Sequence, residues 1–293
     1  MRYSDSEDST VIIPAQRGSL ADEQTLVRIP TVQGAQTQSA AKLRSIKVPE
    51  ITALFWVIKL LSTALGESFS DFMVHHIDPV VAVLIGAAGF SVAILLQFSL
   101  PSYNPVVYWL AVVMVAVFGT MAADVTHIVL KVSYLHSSEG FAVALALILT
   151  GWYISEKTLS VHSINSFRRE FFYWSTVIAT FALGTALGDL TANTFQMGYF
   201  SAGLMFIGLI LLPAIGYFFF KLNEVAAFWV AYILTRPIGA SFADWTGRMP
   251  YEGGIGVGTG KISLLLAVII ALLVGYATWK HIQRVAHHKS RDT

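Results

Sequence analysis

The stretch FWVIKLLSTALGESFSD, residues 55–71, decides the fold, because it occurs four times. The other copies are YWLAVVMVAVFGTMAAD (residues 108–124), YWSTVIATFALGTALGD (residues 173–189) and FWVAYILTRPIGASFAD (residues 228–244). Each copy has an aromatic-Trp pair, a Gly ten residues after the Trp, and an Asp fifteen residues after it. The Trp set is Trp56, Trp109, Trp174 and Trp229; the Gly set is Gly66, Gly119, Gly184 and Gly239. The Asp set is Asp71, Asp124, Asp189 and Asp244. Four gapless copies mark an internal repeat.

On a helix, fifteen residues at about 100° each bring the Asp back to within roughly 60° of the Trp. Lys59, Thr63, Glu67 and Ser70 share that stripe in the first copy. Four residues after each Gly stands a second small residue: Ser70, Ala123, Gly188 and Ala243. Small-xxx-small spacing lets a second backbone approach closely, so Gly66, Gly119, Gly184, Gly188 and Gly239 are expected packing positions. The Trp set is expected to form an aromatic belt at the membrane interface.

Of 293 residues, 55% are hydrophobic and only 13% charged, and the mean hydropathy is +0.63. A soluble domain carries about a quarter charged residues, so the composition is that of an integral membrane protein. The apolar runs are of helix length rather than the short alternating strands of an outer-membrane barrel. A net charge of +1 gives no case for a nucleic-acid partner, and with no cysteine there is neither a disulfide framework nor a thiolate metal site. No cofactor is implied.

The expected architecture is all-α: a polytopic membrane helix bundle of eight transmembrane helices in four two-helix parallel repeats. The segments are about residues 50–73, 79–99, 106–130, 140–157, 170–192, 199–220, 225–245 and 262–282. Residues 1–46 read as a disordered cytoplasmic tail. Residues 47–282 form the transmembrane domain, with repeats near 47–103, 104–160, 168–221 and 222–282; residues 283–293 are a basic tail. Eight spans put both termini on one side, and the Lys/Arg bias makes that side the cytoplasm. The expectation is thus a multi-pass protein of the cell (inner) membrane, with the lipid bilayer as its partner.

From Lys47-Val48-Pro49-Glu50 through Phe55-Trp56, Lys59, Thr63, Gly66-Glu67 and Asp71, the chain resembles a bacterial family. Its members are uncharacterised membrane-anchored proteins built from four copies of a repeat of unknown function. The resemblance covers about residues 47–282 and implies a helical inner-membrane protein; it implies no activity.

Each Asp lies about 22 Å beyond its Trp along a helix, still inside a ~30 Å hydrocarbon core if the Trp marks one boundary. Charge at such depth costs at least about 2.5 kcal/mol on insertion scales, so the stripes are expected to face one another or a wet cavity. Asp71, Asp124, Asp189, Asp244 and Glu67 form a candidate cation or proton site, with Lys59 and Arg236 as charge partners. Asp124 and His127, three residues apart, are also spaced for a metal or a proton relay. The chain carries neither H-E-x-x-H nor G-x-S-x-G, and GGIGVGTGK (residues 253–261) departs from a phosphate loop, reading as a flexible loop. No enzymatic activity is expected. Two function classes remain: a secondary transporter of a small cation, proton-coupled or carrying a divalent metal, and a non-transporting sensor or assembly protein whose polar stripes are structural.

Overall fold

A computed structural model describes residues 10–11, 29–30 and 46–289, with side chains described over 46–286. The chain divides at residues 46 and 47. In the first unit the described residues are two short strands, β1 (Thr10–Val11) and β2 (Ile29–Pro30), paired antiparallel. The expected disorder of the remaining tail lies outside the described residues.

The second unit has eight α-helices. They are α1 (Ala53–His76), α2 (Pro79–Ser99), α3 (Pro105–Asp124), α4 (Tyr134–Glu156), α5 (Phe167–Asp189), α6 (Tyr199–Phe220), α7 (Glu224–Gly247) and α8 (Thr259–Lys289). Local sequence sets their starts. Asp78 and Asn104 accept hydrogen bonds from exposed N–H groups of the first turn, each followed by a proline at the first helical position. Thr52, Ser133, Ser166 and Asn223 cap α1, α4, α5 and α7 in the same way. Lys157 and Lys221, in the left-handed region at φ 55°, end α4 and α6. Helix α8 runs on into the basic segment as far as residue 289.

Seven of the eight helices are long and apolar enough to cross a membrane; the other is α1, which carries Lys59, Glu67 and Asp71. These are the helices of a multi-pass membrane protein. Over their most apolar windows, α3, α5 and α7 are 56–67% buried, whereas α2, α4, α6 and α8 are 11–22% buried. Half of the 24 residues of α1 are buried as well. The four marked helices therefore form an inner ring, α1 against α3, α3 against α5, α5 against α7, and α7 back against α1. The plain helices lie outside, where apolar side chains such as Leu84, Leu147, Phe218 and Leu272 are exposed. Each plain helix packs chiefly on the marked helix that follows it: α2 on α3, α4 on α5, α6 on α7. Among the described residues no helix precedes the first marked helix, and α8 closes the circle by packing on α1. Ser263 Oγ donates to Ser68 Oγ at 3.0 Å across that seam.

The glycines set the inner ring. At each one the neighbouring helix presents the residue eight positions after its first aromatic: Ala116 to Gly66, Phe181 to Gly119, Arg236 to Gly184, and Thr63 to Gly239. A Cβ on Gly66 would lie 2.8 Å from the backbone carbonyl carbon of Ala116, and one on Gly239 2.9 Å from the backbone nitrogen of Ala64. Neither position has room for a side chain. Gly188 differs: a Cβ there would sit 3.8 Å from Pro237, an ordinary contact. The close approaches thus come from the first member of each small pair.

Candidate functional site

The interior of the ring is layered from an aromatic end to an acidic end. At the aromatic end each ring pairs with the next copy. Phe55–Trp109 and Tyr108–Trp174 are 5.6 Å between centroids, Tyr173–Trp229 is 6.2 Å, and Phe228–Trp56 closes the collar at 5.6 Å. Trp109, Trp174 and Trp229 are buried. Three of the four Trp side chains are therefore buried in a collar, with Trp56 half-buried, because the aromatic preceding each Trp supplies a partner across every helix seam. Tyr108 and Tyr173 join their hydroxyls at 2.5 Å inside it. Beside the collar, buried Glu170 accepts from Lys47 at 2.6 Å and from Gln97 at 2.9 Å, tying the segment before α1 and the end of α2 to α5.

One turn inward is Lys59, 1% exposed. Its ammonium lies 4.0 Å from the Phe181 ring centroid and 4.3 Å from that of Tyr232. Next comes Arg236, whose Nη2 donates to Glu67 Oε2 at 2.5 Å and also to Thr120 Oγ1. The expected partners are thus resolved unequally. Glu67 pairs with Arg236 across the α1–α7 seam, while Lys59, on the same helix as Glu67, is held by aromatic faces and has no carboxylate partner among the described residues.

At the acidic end the four Asp residues fall into two pairs. Asp71 and Asp244 are buried and joined by Arg248, which reaches Asp71 Oδ2 at 3.0 Å and Asp244 Oδ1 at 2.9 Å. Arg248 stands four residues after Asp244, the spacing by which the sequence marks it as a partner. The glycine loop expected to be flexible is folded back as its support: Gly256 N donates to Arg248 O at 2.9 Å and Ile255 N to Trp245 O at 2.8 Å. Gly253, Gly256 and Gly258 supply the positive φ values that this turn requires.

Asp124 and Asp189 have no cation within salt-bridge distance among the described residues. They share a second feature. Directly after each, the helix widens into a single π-helical turn, Val125–Val129 and Leu190–Thr194. Lys131 and Gln196 then take matching left-handed conformations, φ 57° and 54°. In the first and fourth copies the α-helix runs on past its Asp. Isolated π turns are frequent at functional sites. Asn193 Nδ2 donates to Asp189 Oδ1 at 3.5 Å.

His127 lies within the first π turn. Its Nδ1 is 2.9 Å from the Val132 carbonyl, and its ring stacks on Tyr134 at 3.7 Å. Among the described residues no three His, Asp or Glu side chains gather in a metal-holding group. His127 thus turns to Val132 and Tyr134, and among the described residues no hydrogen bond or ion pair joins it to Asp124. Sequence reasoning also missed Thr120 and Phe181. Thr120 stands at the repeat position of Glu67, and Phe181 at that of Arg236, so superposing the copies would have placed both in the core.

An eight-helix ring of four repeats defines a class of membrane protein. The family model described as Repeat of Unknown Function (DUF347) matches residues 54–102, 107–158, 172–223 and 227–283. The chain belongs to that family, with four copies of its repeat. No curated protein and no solved structure matches the chain.

Proposed function

We propose that this protein is a secondary transporter of a small cation, with Asp124 and Asp189 as the exchanging carboxylates and the proton as the simplest cargo. The supporting observation is a charge imbalance. Five ring carboxylates, Glu67 and the four Asp, stand against Lys59, Arg236 and Arg248. Arg236 is committed to Glu67, and Arg248 to Asp71 and Asp244, which leaves Asp124 and Asp189 without a cation at the π turns. Both are half-buried, so an acid in that position is within reach of a proton or a metal ion, and at membrane depth a lone ionised carboxylate is costly. A divalent metal requires ligands beyond Asp124 and His127, which cargo hydration or a second conformation would have to supply. In this reading the protein lies in the cell inner membrane with cytoplasmic termini, the aromatic collar on the cytoplasmic side, and catalyses no reaction.

Sealed proteoliposomes carrying an interior pH dye and, separately, a divalent-metal dye test this. Wild type should move protons or one of the metals offered, Asp124→Asn and Asp189→Asn should each lower flux about tenfold or more, and Glu67→Gln should alter its pH dependence. No flux in wild type, or wild-type flux in both Asn variants, overturns the proposal.

One observation favours the second reading, a non-transporting sensor or assembly protein. The collar closes the axis with buried Trp109, Trp174 and Trp229, and two arginines already hold three of the five acids. A flux-silent wild type selects it.

A further inference from the structure

The core between the collar and Glu67 holds an excess of hydrogen-bond donors. Four buried side-chain atoms there have no partner: Lys59 Nζ, Arg236 Nε, Arg236 Nη1 and Tyr232 Oη. Lys59 is 1% exposed, and Arg236 and Tyr232 are 0% exposed. They are neighbours. Lys59 Nζ touches the rings of Phe181 and Tyr232, Arg236 Cζ lies 5.7 Å from the centroid of the same Phe181 ring, and Tyr232 is one turn before Arg236 on α7. Ammonium and guanidinium groups only donate, and of the set only the tyrosine can also accept. What the site lacks is an acceptor.

A water molecule fills that need poorly. It accepts from a donor and then brings two hydrogens of its own, for which this set leaves almost no acceptor. An anion only accepts. The charge count points the same way. Arg236 stays protonated in any protein environment and is paired with Glu67, so a proton on Lys59 is one positive charge that only an added anion would balance. The aromatic faces attract that charge without neutralising it. Lys59 and Arg236 stand four repeat positions apart on neighbouring parallel helices, about 6 Å of helical rise.

We propose that Lys59, Arg236 and Tyr232 form a binding site for one small monovalent anion, a halide or a carboxylate of formate size. The site is distinct from the carboxylates at the acidic end and does not depend on cation transport.

The test uses the purified full-length chain in detergent. Thermal midpoints are read by tryptophan fluorescence at constant ionic strength, starting in gluconate and titrating chloride, bromide, nitrate or formate. A saturable rise with at least one of the four is expected. Lys59→Met should weaken the apparent affinity about tenfold or more, the loss expected from one charged hydrogen bond. Asp124→Asn should respond like wild type, so failure of the cation route and failure of this site are told apart. If Lys59→Met does not fold, crystals of the wild type grown in bromide decide: an anomalous peak between Lys59 and Arg236 upholds the site, and no peak there overturns it. Wild-type midpoints flat in all four anions, or a Lys59→Met response equal to wild type, also overturn it.

Discussion

At the scale of single residues, the ring is governed by space at the glycines and by the pairing of buried charge. Gly66→Ala forces a methyl group against the Ala116 backbone, whereas Gly188→Ala meets Pro237 at an ordinary distance. Overpacking costs about 1–3 kcal/mol. Gly66→Ala should therefore lower the thermal midpoint by several degrees while Gly188→Ala stays close to wild type, and midpoints measured side by side check this. Glu67→Gln leaves the Arg236 guanidinium buried without a counter-ion, and losing one member of a buried pair costs about 3–5 kcal/mol. Replacing both groups, Glu67→Gln with Arg236→Met, should recover part of that loss. Additive losses in the double variant would show that the pair is not coupled. The repeat made the glycines legible in the sequence, since spacing alone marks them. It did not reveal which residue each one receives, because that residue comes from another copy.

At the scale of elements, the chain pairs each plain helix with the marked helix that follows it, and joins last to first. Ser68 and Ser263 face each other across the α1–α8 seam, with hydroxyls 3.0 Å apart. The chain has no cysteine, so Ser68→Cys with Ser263→Cys gives a clean background for crosslinking. Mild oxidation should join the two positions, shown by fragments that stay linked after cleavage in the loops until reduced; free fragments would contradict the closure. The glycine loop after α7 works at the same scale. A side chain at Gly254 would collide with the carbonyl oxygen of Arg248, so Gly254→Ala should displace Arg248 and release Asp71 and Asp244. If the loop only connects helices, Gly254→Ala will leave both stability and any measured flux unchanged.

At the scale of the whole molecule, four similar helices make a ring whose chemistry is not four-fold. Ion pairs close two of the acids, and π turns follow the other two. The structure thus separates a half clamped by Arg248, built from the first and fourth copies, from a half whose acids meet no cation among the described residues. Its two ends also differ, the aromatic collar at one and the carboxylates at the other. Single cysteines at Ser102 and Ser160, in loops at the collar end, should be shielded from an impermeant thiol reagent applied to intact cells. A cysteine at Ser133, at the acidic end, should be labelled. The reverse pattern would invert the proposed orientation.

The sequence by itself determined the repeat, the helical class, the eight helical segments with ends up to seven residues out, and the shared repeat position of the four Asp. These follow from periodicity, apolar length and capping residues, all local along the chain. Only the tertiary structure decided that Arg236 rather than Lys59 meets Glu67, that Arg248 straps Asp71 to Asp244, that Trp109, Trp174 and Trp229 are buried, and that α8 completes the ring at α1. The physical reason is common to all four. A buried charge or a large ring takes whichever partner the neighbouring helix presents at its level, and in a closed ring that neighbour is set by how the copies assemble, not by their order in the chain.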